Sequence, residues 1–277
     1  MPNRNTTAAA ASDAAIVALF ERLALEAGKL VMDVYSSEIV VGAKSDQSPV
    51  TAADHASERL ILAGLRQEFP DIPCVAEEEI AAGVIPCALE GTFLLIDPLD
   101  GTREFVERRP DFTVNIALVR NGVPEVGVVF APARSQMHSA YPGHAEAIAV
   151  GEGFAVESRK RVHVRTGFTP LTIVASRSHR THDTDLYIRN FEAAEIVSVG
   201  SSLKFCMIAS GEADLYPRFG TTMEWDTAAG DAILRAAGGM TTTLDGAPLT
   251  YGKRGRAELP DFVNPSFVAR GRIEERG

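Results

Sequence analysis

Apolar residues in the segment 13–35, DAAIVALFERLALEAGKLVMDVY, fall at positions 16, 19, 20, 23, 27, 30, 31 and 34. That three-and-four spacing predicts a helix with one buried face. A loop follows over 36–50, with a short strand read at 38–41. A second helix is predicted from Thr51, where Thr51 and Asp54 have the spacing of a capping box with Asp in place of the usual Glu. Pro70 ends it. IPCVAEEE (72–79) reads as a strand running into three acids, and TFLLID (92–97) as a buried strand. FTVNIALVRNGVPEVGVVFAP (112–132) reads as a hairpin turning at Asn121-Gly122. Strands and a Gly- and His-containing loop continue over 137–157.

Beyond residue 165 the pattern changes to alternation. LTIVASRSH is a strand, 182–192 a helix, AEIVSVG a strand, SSLKFCMIASGE a helix, ADLYPRF a strand, DTAAGDAILRAAGG a helix and MTTTLDG a final strand. Alternating strands and helices predict an α/β half. Two domains are expected, an α+β unit over 1–165 carrying most of the candidate ligands and an α/β unit over 166–277 completing the site. No Gly/Ser linker separates them, so the halves should pack closely.

Composition narrows the function. The chain has 277 residues, 45% hydrophobic, with 23 Gly and 15 Pro, as in ordinary globular proteins. No apolar run reaches the roughly 20 residues of a membrane span, and the polar, Ala-rich start reads as a lead-in to the first helix rather than a signal peptide. Three cysteines, Cys74, Cys87 and Cys206, odd in number and without CxxC spacing, read as buried free thiols in a reducing cytoplasm. The formal charge of −10 and the absence of a basic stripe argue against a nucleic-acid polymer as partner. A small phosphorylated substrate would then need local cations. The six histidines show no zinc-ligand spacing, so any metal should be a hard one held by oxygen.

The candidate chemistry lies in acids placed at element ends. Asp97 and Asp100 flank Pro98-Leu99 at the end of an apolar strand, in a predicted tight turn that Gly101 releases. Such a turn either exposes two solvated acids or aims both carboxylates and the Leu99 carbonyl at one point. Glu77, Glu78 and Glu79 end a strand that fits beside 93–96; they read as a solvated run or as the source of one more carboxylate. Asp226 reads as the N-cap of a helix, with one oxygen to spare, and the small Ala228, Ala229 and Gly230 would let that helix pack close to another element. Gly200-Ser201-Ser202 stands at a predicted helix start, where backbone N–H groups can hold an anion, with Lys204 one turn on. Arg218 adds a second cation, with Tyr216 and Phe219 as apolar or stacking surface. Together, oxygen ligands and an anion turn fit hydrolysis of a phosphate ester by two or three Mg²⁺ ions.

The segments SPVTAAD, DPLDGTREF, FTVNIALV, SRSH, GSSLKFCMIASGEADLYPRFG and EWDTAAGDAI span residues 48 to 233. In content and order they resemble the inositol monophosphatase superfamily, the lithium-sensitive Mg²⁺-dependent phosphatases. The long GSSLKFC to WDTAAG string is most similar to its 3′(2′),5′-bisphosphate nucleotidase branch of the bacterial CysQ type. The resemblance implies a layered α-β-α-β-α sandwich with the site between its halves. It implies Glu77, Asp97, the Leu99 carbonyl, Asp100 and Asp226 as metal ligands and Asp54 with Thr102 as the pair that activates water. Gly101, Thr102, Gly200, Ser201, Lys204 and Arg218 would meet the substrate. Two departures stand out: Arg103 replaces the usual Lys after Asp-Gly-Thr, keeping the charge, and Ala76 replaces the usual Ser before Glu77, so that Glu77 or Glu78 could be the ligand. The implied activity is release of the 3′-phosphate of adenosine 3′,5′-bisphosphate, or of its sulfated precursor, in sulfur assimilation and nucleotide recycling. Rival readings are inositol phosphate or fructose bisphosphate as substrate, and an inactive phosphometabolite-binding regulator. A cytoplasmic protein without a transmembrane anchor is expected, with room for a homodimer.

Overall fold

A computed structural model describes residues 11–43, 49–89, 91–167, 170–177, 180–191 and 194–273. The loop expected over 36–50 and the SRSH segment therefore lie partly outside the described residues. Helix α1 (Asp13–Tyr35) buries Ile16, Phe20, Leu23, Ala27 and Val31 and is capped by the Ser12 hydroxyl, which accepts from the Ala15 N–H. The short strands β1 (Val41–Ala43) and β2 (Pro49–Thr51) pair antiparallel, slightly later than the strand read at 38–41. Helix α2 (Ala52–Glu68) starts in the capping box expected of Thr51 and Asp54. Next come β3 (Cys74–Ala76), α3 (Glu77–Ala81), β4 (Thr92–Asp100), α4 (Thr102–Val106), β5 (Thr113–Arg120), β6 (Val123–Ala131), β7 (Gln136–Tyr141), β8 (His144–Val150) and β9 (Val156–Arg161). Strands β3 to β9 form one seven-stranded sheet in chain order, with the β5–β6 hairpin turning at Asn121-Gly122, both at positive φ. β3 runs parallel to β4 and the rest are antiparallel neighbours.

The remainder comprises β10 (Thr166–Gly167), β11 (Thr172–Ser176), α5 (His182–Ile188), β12 (Glu195–Val199), α6 (Leu203–Ala209), β13 (Leu215–Arg218), α7 (Ala228–Ala236), β14 (Met240–Thr243), β15 (Phe267–Arg270) and β16 (Arg272–Ile273). Five of these strands form a second sheet in the order β12-β11-β13-β15-β14. β14 is thus not the last strand. The four-residue β15 inserts antiparallel between β13 and β14, too short and too far downstream to show as a periodic signal.

Layers follow from the contacts. α1 and α2 pack on each other and on one face of the seven-stranded sheet; α6 and α7 pack on its other face and reach β13 and β14; α5 lies on β13. The result is the expected α-β-α-β-α sandwich. Its two larger cores are the α1/α2 side, with Phe20, Phe105, Phe112 and Phe130, and the inter-sheet side, with Phe205, Phe262, Phe267 and Ile233. Cys74 and Cys206 are buried free thiols, but Cys87 is an exposed one, a departure from the expected burial of all three; it stands in an irregular stretch.

The close approach expected of Ala228, Ala229 and Gly230 occurs. A Cβ on Gly127 of β6 would stand 2.6 Å from the Ala229 carbonyl oxygen and 2.9 Å from the Ala232 Cβ, and one on Gly230 would stand 2.6 Å from the Phe205 ring. Backbone oxygen cannot move aside as a side chain can. Gly127→Ala should therefore lower unfolding free energy by about 1–3 kcal/mol, read from the urea midpoint at constant slope; an unchanged midpoint would show that α7 is free to shift.

Candidate active site

β4 does not end at Asp97. It continues through Pro98 to Asp100, and the tight turn expected there is a β-bulge. Asp97 faces Asn115 and Asp100 faces Thr113 across β5, so three residues advance on β4 while two advance on its partner. Bulges re-aim side chains beside functional sites. Pro98 lacks an N–H and is tolerated where the ladder is interrupted. The Asp97 carboxylate accepts the Leu99 N–H at 3.0 Å, and the Pro98 carbonyl accepts the Ser57 hydroxyl at 3.0 Å.

The parallel register of β3 on β4 pairs Ala76 with Ile96. The next residues, Glu77 and Asp97, thereby come side by side, as the two strand ends suggested. Glu77 opens the short helix α3 and lines a cleft of about 230 Å³; Glu78 does not line it. Glu79 pairs with Arg66 at 2.7 Å on the solvent side. The three acids thus point to different surroundings, and only Glu77 faces the cleft.

Asp226 is not an N-cap: Thr227 holds that position before α7. The Asp226 carboxylate instead accepts the Met223 N–H at 2.7 Å. The Gly200-Ser201-Ser202 turn is also occupied differently. Its anion is internal, because the Asp100 carboxylate accepts the Ser202 N–H at 2.6 Å and lies 3.0 Å from the Ser202 hydroxyl. That hydroxyl donates to the Asp226 carbonyl at 2.6 Å and accepts from the Asn115 amide at 3.0 Å. Sequence reasoning misses Asn115, and within the Gly200-Ser201-Ser202 turn it gives a role to Gly200 and Ser201 but none to Ser202. Ser202 joins Asp100 of the first sheet to Asp226 before α7.

Gly200 and Gly101 are needed for backbone approach. A Cβ on Gly200 would meet the Asp111 carbonyl at 2.8 Å; Gly101 has φ +91°, and a Cβ there would meet the same carbonyl at 3.0 Å. Gly101 releases the chain into α4, which starts at Thr102. The Thr102 hydroxyl lies 3.2 Å from Asp54 Oδ1 and 3.2 Å from the Leu99 carbonyl. It has one proton and serves one of them at a time. The other Asp54 oxygen accepts the Thr51 N–H at 2.8 Å and the Thr51 hydroxyl at 2.7 Å, so the cap of α2 holds this carboxylate in place.

Glu77, Asp100, Gly101, Thr102, Gly200, Ser201, Lys204, Arg218 and Asp226 share the walls of one cleft, with Arg103 at its exposed edge. Asp97 and Leu99, each 1% exposed, lie beneath it, and Asp54, equally buried, lies behind Thr102. Lys204 is buried, donates to the Ser201 and Val199 carbonyls and sits 5.1 Å above the Tyr216 ring. Burial pushes its ammonium down to about 8, against the pull of Asp100. Arg218 donates to the Thr221 carbonyl at 2.7 Å. Tyr216 packs edge-on against Phe205 and Phe267 as a core residue at the cleft wall. Phe219 packs on Tyr187 and does not line the cleft, which corrects its reading as a surface for a base.

Burial raises the pKa of Asp97 and Asp226 well above the ordinary carboxylate range, helped at Asp97 by Glu77, Asp100 and Asp226, and at Asp226 by Asp100 and Glu77. Burial raises Asp100 too, opposed by Lys204 and the Ser202 hydrogen bonds. Glu58, missed from the sequence because it lies mid-helix, is pushed up to about 7 by burial while accepting the Glu78 and Glu79 N–H groups at 2.8 and 2.9 Å. Among the described residues no three acidic, His or Cys side chains converge tightly enough to enclose one ion as they stand. The donor set nevertheless fits a hard divalent cation: four mutually repelling carboxylates face two buried cations, and every donor is oxygen.

Residues 13–265 match the inositol monophosphatase family model. The chain is 42% identical over 248 residues to the 3′(2′),5′-bisphosphate nucleotidase CysQ of Escherichia coli, covering 89% of this chain and 96% of that protein. It is 41% identical to the CysQ of Buchnera aphidicola, covering 90% and 91%. Among solved structures, CysQ from Bacteroides thetaiotaomicron aligns with TM-score 0.76 and 34% identity over 94% of this chain and 98% of that one.

Raised carboxyl pKa values mean that the metal-free protein holds protons that a bound cation must expel. Mg²⁺ binding should release protons, and the Mg²⁺-induced rise in Tm should grow as the pH is raised and Asp97 and Asp226 ionise. Calorimetry in buffers of different ionisation enthalpy measures the release; no release would mean that the ions avoid these carboxylates.

Proposed function

The chain belongs to the inositol monophosphatase family, and on that premise we propose that it is a metal-dependent 3′(2′),5′-bisphosphate nucleotidase. It hydrolyses the 3′-phosphate of adenosine 3′,5′-bisphosphate to give AMP and inorganic phosphate. The observation that supports the reading is one cleft lined both by the carboxylates Glu77, Asp100 and Asp226 and by the buried cations Lys204 and Arg218. A substrate with a single phosphate needs only the cation that the carboxylates attract. A second phosphate, in a protein of net charge −10, needs fixed positive groups of its own.

In this reading Glu77, Asp97, the Leu99 carbonyl, Asp100 and Asp226 hold Mg²⁺, two or three ions per site. Bound there, Mg²⁺ supplies charge neutralisation at the phosphoryl oxygens and a lower pKa for water. The protein orients the nucleophile. With its proton on the Asp54 side, Thr102 Oγ1 offers a lone pair to the cleft. A water donating to it passes one proton to Oγ1 as the threonine proton moves to Asp54 Oδ1; the water oxygen attacks phosphorus in line, the P–O bond to the 3′-oxygen breaks, and that oxygen leaves as the ribose hydroxyl with a proton from solvent. Asp54 cannot turn away, since Thr51 fixes its other oxygen.

The division into 1–165 and 166–277 belongs to the same proposal. It is supported by the origin of the two sheets, one built from strands between Cys74 and Arg161 and the other from strands between Thr172 and Arg270. Among the described residues no helix is long and apolar enough to cross a membrane. The free thiols support a reducing, cytoplasmic setting.

Phosphate release with Mg²⁺ from adenosine 3′,5′-bisphosphate, inositol phosphate and fructose bisphosphate tests the substrate. The nucleotide should give the highest kcat/KM, and a higher value for inositol phosphate would overturn the assignment. Arg218→Ala should cost the nucleotide about 1.5–3 kcal/mol in kcat/KM and spare a single-phosphate substrate; equal losses would place Arg218 in the shared scaffold.

Thr102→Ala should lower kcat by about 10²–10⁴-fold with Mg²⁺ affinity nearly intact by calorimetry. Loss of the metal instead would make Thr102 a ligand or a prop rather than part of the base. Millimolar Li⁺, which carries half the charge of Mg²⁺, should inhibit turnover, as a rate titration at fixed Mg²⁺ would record.

A further inference from the structure

Asp54, Ser57 and Glu58 stand three and four residues apart on α2, and so share one helix face. Each binds a different segment of the candidate site. Asp54 meets Thr102 at 3.2 Å, at the first residue of α4. The Ser57 hydroxyl donates to the Pro98 carbonyl at 3.0 Å, inside the bulge between Asp97 and Asp100. Glu58 accepts the Glu78 N–H at 2.8 Å and the Glu79 N–H at 2.9 Å, in the first turn of α3. All three are buried, at 1%, 0% and 4% exposure.

The Glu58 bonds are an unusual way to start a helix. Ala76, the N-cap of α3, makes no side-chain hydrogen bond, although Ser, Thr or Asp there would cap the helix locally. The cap comes instead from a carboxylate about twenty residues earlier in the chain, and sinking a carboxylate into the interior is costly. A local cap would fix α3 to its own strand. A cap from α2 fixes it to the element that also holds the bulge and Thr102. We propose that Glu58 is a positioning residue: by gripping the first turn of α3 from α2, it sets Glu77 in register with Asp97 and Asp100, and α2 acts as the common mount for the three segments that carry the ligands. The inference rests on Glu77 being a metal ligand, as read above. Neither Ser57 nor Glu58 lines the cleft, so both act through others.

The test measures Mg²⁺ binding by the rise in Tm of the full chain, alongside kcat at saturating Mg²⁺. Groups that orient ligands typically change metal affinity by about 10–100-fold. Glu58→Gln keeps the shape but replaces one acceptor oxygen with an amide NH₂ donor, and should raise the Mg²⁺ concentration for half the Tm shift by at least about 10-fold. Added Mg²⁺ should restore most of kcat. Arg66→Ala removes the Glu79 partner on the solvent side of the same helix and should leave Mg²⁺ affinity unchanged. If Glu58→Gln does not fold, Ser57→Ala carries the test, with a several-fold weaker response expected. Wild-type Mg²⁺ affinity in the folded Glu58 variant, or in Ser57→Ala where that variant carries the test, overturns the proposal. So does an equal loss in Arg66→Ala, which would reduce the effect to general loosening of α3. A native chain with no Mg²⁺ response and no phosphate release would overturn the functional reading itself, and this inference with it.

Discussion

The repulsion among buried carboxylates is the constraint on which this structure turns. Asp97, Asp100 and Asp226, with Glu77 beside them, are brought within electrostatic reach where burial disfavours their charge, and burial is the largest cause raising the first three pKa values. Left to itself, such a cluster would move apart or rotate its acids toward solvent. The fold prevents this by fastening the backbone on either side. Asp97 is tied to the Leu99 N–H, Asp100 to Ser202, and Asp226 to the Met223 N–H. Each bond also favours the charged form. The cluster is thereby held in place, and a cation that binds there has protons to displace rather than a backbone to rearrange.

Two kinds of support keep those fastenings aligned. On one side, α2 holds the bulge, the first turn of α3 and Thr102 through one helix face. On the other, Ser202 connects Asp100, Asn115 and the backbone of Asp226, and so joins the first sheet to the segment that leads into α7. The approach of α7 depends on absent side chains. Gly127 leaves room for α7 almost in backbone contact with β6, and Gly230 leaves room for the Phe205 ring of α6.

Much of this was legible along the chain. The amphipathic period of α1, the Thr51–Asp54 capping box and the Asn121-Gly122 hairpin are local effects, decided by residues a few positions apart. The acids at the ends of β3 and β4 were also visible, because an apolar run that stops in a carboxylate is a contrast within six or seven residues. Where local reasoning failed, the competing influence came from a distance. Pro98 between two aspartates suggested a turn; pairing with β5 carried the strand through as a bulge. Asp226 looked like an N-cap; a bond to Met223 displaced that role to Thr227. The GSS turn looked like a site for an external anion; Asp100 occupies its amide.

What the sequence alone determined was the chemistry available: carboxylates at element ends without zinc-ligand spacing of histidine or cysteine, a threonine after Asp-Gly, Lys204 and Arg218 as candidate partners for a phosphate in a chain of net charge −10, and enough periodicity to order the layers. The tertiary structure decided which of these meet. Register is the reason. Glu77 neighbours Asp97 only because β3 pairs with β4 at Ala76 and Ile96, a choice that no property of either strand expresses alone. Likewise Glu58 and Ser202 bond to other segments of the chain, at distances in sequence of 20 and 102 residues. A mid-helix glutamate and a serine in a turn look ordinary until the chain folds and brings their partners to them.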